Sequence, residues 1–332
     1  MLAAAPAHGD ATGCAGFTGS VSGTSDHSFQ QYFYSFAGPW DAGDTLTVSG
    51  TSSPSAFLRL DHPSGTIVAG PQPFPPALSY TFLSASTDAV SVGLATPNNG
   101  TAWSLTFSCS VTPPAPSVIG TGLLQNSQNK SVGADLSAGA ADGDVVVASV
   151  ATGTFQGAAG CTDDSPSPNT WYKVADKNTG AGRLFVCVSK LTNALTDTNT
   201  VSGTYPQFSG ASAIQVDKFD GGTTGGFPAP SFNTNSGSNP TVSSGQICAT
   251  SRNWIFGVVA NSNISSFAVD NPPWTPLGSN SVGSGAGKRT LTTSSKFISS
   301  GSCPTDVQEL SGKLQSPGSG SWQAAIVALP HS

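Results

Sequence analysis

Charged side chains are scarce in this chain. Asp, Glu, Lys and Arg together make up 9% of its 332 residues, against about 25% in a typical globular protein. Glu309 is the single glutamate, and the formal net charge is −6. The chain therefore lacks the dense basic surface with which proteins neutralise phosphate backbones, and we expect no nucleic-acid partner.

Long apolar runs are missing as well. No hydrophobic stretch approaches the ~20 residues that a membrane-spanning helix needs, so the sequence predicts no membrane span. Good helix formers are few, whereas Gly (39 residues) and Pro (24 residues) are abundant and short polar side chains recur throughout. Such a composition favours strands and turns. We expect an all-β protein.

The distribution of strand-like segments predicts two domains. Residues 112–118 carry three prolines in four positions, which cannot form a central strand and make a short, stiff linker. About seven short apolar runs separated by turn residues precede this linker, and longer runs follow it. We therefore predict antiparallel β-sandwich, jelly-roll-like domains at residues 14–111 and 119–332. Residues 1–13 are interpreted as a flexible terminus or the remnant of a signal peptide. No fixed-period repeat is visible.

The cysteines indicate where the protein works. Six cysteines allow fifteen pairings, but their positions favour three sequential disulfides, because the first pair brackets the first domain and the second pair brackets an expected hairpin. No pair has the spacing of a zinc site, and the chain has only four histidines. Disulfides imply an oxidising compartment, so we expect an extracellular protein that is secreted, displayed on a cell surface or carried on a virion. The predicted pairs are Cys14–Cys109, Cys161–Cys187 and Cys248–Cys303.

Several segments resemble known extracellular modules. In residues 36–48 (FAGPWDAGDTLTV), 58–68 (LRLDHPSGTIV) and 89–94, the first domain resembles β-sandwich modules of the pre-peptidase C-terminal type. In residues 142–150 (DGDVVVASV), 169–174 (NTWYKV), 213–219 (AIQVDKF) and 322–329 (WQAAIVAL), the second domain is similar to jelly-roll modules of secreted bacterial surface proteins and phage tail or fibre proteins. These resemblances imply fold and location and carry no catalytic signature.

No arrangement of residues typical of catalysis is recognisable. The G-x-S-x-G elbow of serine hydrolases is absent, and His27 and His62, the internal histidines, lie in polar or turn contexts. The glycine-rich segment 283–289 departs from the phosphate-binding loop at Val282 and Arg289. We expect that the protein is not an enzyme and that it has no cofactor other than, at most, Ca²⁺.

Two tryptophans and two aspartates are the candidate binding residues. Trp274 is flanked by prolines and Trp40 lies in a turn, so either ring could be held rigidly for stacking on a sugar, or could pack over a sandwich edge. Asp142 and Asp144 are two residues apart and could share a face as calcium ligands. The alternative for this pair is a solvated turn.

These features favour a non-enzymatic surface or virion component that acts in adhesion, carbohydrate contact or structural assembly. Its partners would be a glycan or cell-surface receptor, or further copies of itself. The alternative is a secreted hydrolase, or an accessory module of one.

Overall fold

The protein is nearly all β, as predicted. The computed structural model describes residues 13–28, 30–40, 43–53, 57–61, 67–73, 77–82, 86–111, 114–219, 231–249, 253–262, 267–270, 274–283, 287–298, 307–315 and 320–330. The one described helix is α1 (Gly13–Gly16). The strands are β1 (Gly19–Thr24), β2 (Gln30–Phe36), β3 (Asp44–Ser53), β4 (Phe57–Asp61), β5 (Ile67–Pro73), β6 (Leu78–Thr81), β7 (Val90–Thr96), β8 (Ala102–Val111), β9 (Ser117–Leu136), β10 (Val145–Thr152), β11 (Gly160–Asp163), β12 (Tyr172–Thr179), β13 (Gly182–Lys190), β14 (Thr200–Phe219), β15 (Phe232–Gly237), β16 (Thr241–Cys248), β17 (Asn253–Asn261), β18 (Phe267–Val269), β19 (Thr275–Val282), β20 (Arg289–Ile298), β21 (Val307–Leu314) and β22 (Trp322–Pro330).

The chain divides into two compact units, Met1–Pro114 and Ala115–Ser332. The division falls inside the proline-rich segment 112–118. None of the described helices is long and apolar enough to cross a membrane.

The first unit is a sandwich of two four-stranded antiparallel sheets. One sheet has the order β1-β8-β3-β6 and the other β2-β7-β4-β5. Apolar and polar residues alternate along β3 and β8, so each strand buries one face and exposes the other. The core between the sheets is rich in aromatic rings, including Phe17, Tyr34, Phe36, Trp40, Trp103 and Phe107. The predicted Cys14–Cys109 disulfide joins α1 to β8.

The second unit begins with a long bent ribbon. β9 and β14 pair antiparallel along almost their whole length, with breaks in register between residues 204 and 208, 210 and 212, and 216 and 217. Ile119, in the first half of β9, belongs to the same buried cluster as Val132 and Leu136 in its second half. The ribbon therefore folds over, and its two halves form opposite layers of a sandwich. The larger sheet of this sandwich contains the first half of β9, the second half of β14, and strands β10, β13 and β12. The smaller sheet contains the second half of β9, the first half of β14, and β11.

The remaining strands repeat this arrangement. Their larger sheet has the order β15-β22-β17-β20-β19, and the smaller has the order β16-β21-β18. Strand by strand, this is the order of residues 117–219, with β9 and β14 each corresponding to two separate strands. The sequence analysis predicted one larger jelly roll and no repeat. The structure instead contains two sandwiches of the same connectivity, which we call the first jelly roll (residues 117–219) and the second jelly roll (residues 231–330).

The two jelly rolls pack against each other through their larger sheets. β14 packs on β19 and β20, and the corresponding strand β22 packs on β12 and β13. The edge strands behave likewise, because β9 packs on β19 and β15 packs on β12. Each of these contacts from the first jelly roll to the second thus has an equivalent contact in the other direction. The two jelly rolls are therefore related by an approximate twofold axis, as the subunits of a symmetric dimer are. A large apolar cluster fills the interface and includes Val147, Val186, Phe219, Trp254, Phe256 and Val327.

The disulfide predictions are confirmed for two pairs. Cys161 of β11 is bonded to Cys187 of β13, so this bridge links the smaller and larger sheets of the first jelly roll. Cys248 is also disulfide-bonded. Its predicted partner, Cys303, lies outside the described residues.

The folded-over ribbon depends on a glycine. A Cβ atom at Gly122 would lie 1.7 Å from the backbone oxygen of Gly133, on the opposite layer. We predict that Gly122→Ala lowers the free energy of unfolding by about 3 kcal/mol or more, because backbone must move to relieve the clash. Gly180→Ala is the control, since no atom lies within 4 Å of a Cβ there. Urea unfolding of both variants measures the difference, and equal stabilities would contradict this account of the bend.

Candidate functional site

The structure places Trp40 in the core of the first unit. Its side chain has no exposed surface, and its ring stacks on Phe82 at 5.3 Å. The indole Nε1 donates a hydrogen bond to the backbone oxygen of Asp88 at 2.7 Å. The expectation of a ring presented to a ligand is wrong for this residue, because both its face and its polar atom are occupied by the protein.

Trp274 is also buried, with 8% of its surface exposed. Its ring belongs to the apolar cluster between the two sheets of the second jelly roll, where it lies against Gly257 of the central strand. The Lys296 Nζ lies 4.7 Å from the ring centroid, within cation–π range. The neighbouring residues 271–273 lie outside the described residues. The prediction of an exposed ring is therefore wrong, and the alternative of packing over the sandwich describes this tryptophan.

Asp142 and Asp144 form a tight turn at the start of β10. The Asp144 carboxylate accepts a hydrogen bond from the backbone N–H of Ala141 at 2.8 Å, and Gly143 has φ +90°, which favours glycine. Asp144 is buried whereas Asp142 is exposed, so the two carboxylates do not share a face. The geometry is that of the turn alternative, and calcium binding by this pair stays a prediction.

Metal-ligating side chains converge once among the described residues, at Cys14, Asp44 and Cys109. Both cysteines are joined to each other in a disulfide, so neither can supply the thiolate that a metal requires. His27 is exposed, 4.0 Å from Asp26, and His62 lies outside the described residues.

A continuous surface of hydroxyl groups covers the outer face of the first unit's β1-β8-β3-β6 sheet. Apart from Ala102 at the start of β8, the outward positions whose side chains the structure describes, from β1 at one edge to β6 at the other, are Ser or Thr. These side chains are exposed or half-buried. We call this surface the hydroxyl face; it comprises Ser20, Ser22, Thr24, Thr45, Thr47, Ser49, Thr51, Ser79, Thr81, Ser104, Thr106, Ser108 and Ser110.

Strand register arranges these hydroxyls in rows. Ser79, Thr47 and Ser108 are direct cross-strand neighbours, and Ser49, Thr106 and Ser20 form another row. Sheet geometry sets the spacing at about 4.8 Å between strands and about 6.8 Å along each strand. Hydroxyls in several rows bond to each other: Thr45 to Thr81 at 2.8 Å, Thr47 to Ser79 at 3.0 Å and Thr51 to Ser104 at 3.0 Å. The result is a regular surface that carries no charged side chain and no aromatic ring at the positions named above.

The sequence contains a signal for this surface that the sequence analysis did not use. Apolar residues on β3 and β8 alternate strictly with Ser or Thr, as in residues 45–49 (TLTVS) and 104–108 (SLTFS). The apolar half of each pattern predicts a strand, and no prediction was made from the hydroxyl half. Only the register of the four strands shows that the separate hydroxyl stretches lie side by side.

Comparisons with known proteins give no family for this chain. No protein-family model matches it, and no curated protein sequence matches it. Among solved structures, it is similar to the full extracellular region of zebrafish Gpr126/Adgrg6, with 7% identity and a TM-score of 0.21. That match covers 88% of this chain and 55% of the other, and at this TM-score it carries no argument about fold or function. The resemblances to pre-peptidase C-terminal and jelly-roll modules therefore depend on the strand patterns alone.

The burial of Trp274 predicts a stability effect. Trp274→Ala should lower the free energy of unfolding by about 3 kcal/mol or more, since it leaves a cavity between the sheets of the second jelly roll. Tyr172→Ala is the matched control, because Tyr172 is 54% exposed and its truncation should change stability by less than about 0.5 kcal/mol. Thermal melts of both variants test this. An unchanged melting temperature for Trp274→Ala would show that the ring is not part of the core.

Proposed function

We propose that this protein is a non-enzymatic extracellular module that attaches to neutral, hydroxyl-rich carbohydrate through the hydroxyl face. The observation that carries the proposal is the Ser/Thr surface that extends across four strands of the first unit. Exported proteins with disulfides fold in oxidising compartments, and both the Cys14–Cys109 and the Cys161–Cys187 bridges are formed. This supports an extracellular location.

The chemistry of the hydroxyl face suits a neutral partner. Ser and Thr hydroxyls both donate and accept hydrogen bonds. They can therefore pair with the hydroxyls of a polysaccharide whichever way the polysaccharide chain runs. The named positions hold no charge that would attract an ionic polymer. They also hold no ring for stacking on a sugar face, so affinity would come from many weak hydrogen bonds. Each such bond contributes about 1 kcal/mol net, and a repeating polymer can engage several rows at once.

The rigidity of the surface favours this kind of binding. The hydroxyls stand on paired strands whose opposite faces pack in the core, as Leu46 and Val48 do between Thr45, Thr47 and Ser49. Cross-strand hydroxyl pairs hold the side chains further. Little conformational entropy is then lost when a partner binds, which favours affinity from modest contacts.

Binding to insoluble polysaccharides tests the proposal. The full chain, incubated with cellulose, chitin and starch granules, should sediment with at least one of them. Thr47→Val and Thr106→Val remove a hydroxyl from the centre of the face and keep the side-chain shape. If each hydroxyl contributes about 1 kcal/mol, each variant should weaken binding about fivefold.

Thr121→Val is the matched control, because Thr121 is an exposed strand residue of the second unit. It should bind as the unaltered chain does, and all three variants should melt at nearly the same temperature. The proposal is wrong if the chain sediments with none of the three polymers, or if the variants of the hydroxyl face bind as tightly as the control.

A further inference from the structure

A polar cluster lies inside the apolar interface of the two jelly rolls. Gln215 and Asp217 of β14 project from the first jelly roll, and Thr293 of β20 projects from the second; none of the three has exposed surface. Gln215 Nε2 donates to Asp217 Oδ1 at 2.9 Å and also to Thr293 Oγ1. Asn280 of β19 donates to the Gln215 oxygen at 3.0 Å. The Gln215 side chain therefore bonds to two residues of the second jelly roll and to the Asp217 carboxyl group of its own strand.

That carboxyl group is incompletely paired. Thr293 Oγ1 donates to the same Oδ1 atom at 3.4 Å, whereas Oδ2 of Asp217 has no hydrogen-bond partner among the described residues. A buried carboxylate oxygen without a donor is strongly disfavoured, and a neutral carboxylic acid much less so. Burial accordingly raises the pKa of Asp217 to about 7, against the opposing effect of the hydrogen bonds from Gln215 and Thr293.

The second jelly roll has no such group at the equivalent position. Equivalent positions can be identified from the central strand of each larger sheet. Asp217 is paired with Val147, and Val147 lies five residues before the last residue of the central strand β10. Val327 is paired with Phe256, five residues before the end of the corresponding strand β17. By the same correspondence Ala325 replaces Gln215 and Val186 replaces Thr293. These three positions are therefore polar on one side of the approximate twofold axis and apolar on the other.

Few ionisable groups surround Asp217. The adjoining segment 117–124 of β9, and strands β10 and β19, contain none. On β20, Arg289 donates to the backbone oxygens of Thr152, Ala181 and Lys288, and Lys296 lies over Trp274 in the other core. Lys218 is the next residue along β14 and so projects from the opposite face. No ion pair with Asp217 is found among the described residues.

We propose that Asp217 is a pH-sensitive contact between the two jelly rolls: with its carboxyl group neutral the larger sheets pack closely, and ionisation of that group loosens their packing. Ionisation gives the Asp217 side chain a negative charge that the interface does not neutralise. This charge is stabilised only when water reaches Oδ2. The first event is a separation near β14, β19 and β20, where the cluster lies.

The direction of the pH dependence follows from linkage. Because the pKa of Asp217 is higher in the folded protein (about 7) than its ordinary value of 3.8, the folded state binds more protons in that interval. Stability is therefore highest at acidic pH and falls as the pH rises through the interval. The unfolding equilibrium constant should rise about tenfold per pH unit, or about a thousandfold in all, and level off above pH ~8.

Urea unfolding and hydrogen exchange of the full chain at about pH 5 and about pH 8.5 test the proposal. In the unaltered chain, the higher pH should lower both the unfolding midpoint and the protection factors of amides in 213–219 and 289–298, while amides of β8 stay protected. Asp217→Asn should lose this pH dependence. Asp217→Val, which introduces the residue type found at the equivalent position Val327, should also lose this pH dependence. It replaces the asparagine variant in the test if that variant fails to fold.

Asp176→Asn is the matched control. Although burial opposes it, hydrogen bonds and charges from Arg183 and Lys173 hold the pKa of Asp176 below its ordinary value. Its variant should therefore change stability equally at both pH values and keep the pH response of the unaltered chain. The proposal is overturned if the foldable Asp217 variants respond to pH as the unaltered chain does, or if the amides of β14 and β20 are equally protected at both pH values.

Discussion

The second unit depends on an apolar layer between two sheets that are each covered on both faces. All eight residues of β10 are buried, and β17 and β22 are nearly as enclosed. One set of alternate side chains fills the core of its own sandwich, and the other set fills the layer shared by the two jelly rolls. Burial of this extent removes water from both faces of the central strands, which is the main favourable contribution to folding. Neither jelly roll could expose its larger sheet to water without a large loss of stability.

The enclosed strands of the second unit could be predicted from the sequence, whereas its division into two jelly rolls could not. The continuous apolar segments 145–147 (VVV) and 324–329 (AAIVAL) lie in interior strands of their sheets. An antiparallel sheet with one face in water reads as alternating apolar and polar residues, as β3 does in the first unit. Continuous apolar runs in an antiparallel sheet therefore indicate a second covering layer. The repeat could not be recognised from the sequence. Two jelly rolls with the same connectivity must share which positions are buried, but the residues at those positions can differ. Val147 and Phe256 occupy equivalent positions and share little beyond being apolar.

The tryptophan predictions failed for a related reason. Prolines beside Trp274 restrict the backbone, but a restricted backbone can direct a ring into a core as readily as into water. Trp40 lies outside the strands apart from one isolated bridge to Ser86, yet it is fully enclosed. For an aromatic residue, the energy of burying a large ring usually outweighs its location in a turn. The hydroxyl face was missed for the opposite reason, because no single hydroxyl residue stands out and only pairing of distant segments assembles them.

The polar cluster at Asp217 departs from the near-symmetry of the interface between the jelly rolls. Two equivalent positions flank an approximate twofold axis, and an apolar side chain at Val327 already satisfies one of them. The other holds a carboxyl group that is costly to bury and gains only partial hydrogen bonding in return. Packing alone would be better served by a valine at both positions. A glutamine, a threonine and an asparagine are nevertheless arranged around Asp217, on three strands from both jelly rolls. The first jelly roll thus carries a titratable group in the layer on which the stability of both depends, and the strength of their association is tied to the protonation of one oxygen atom.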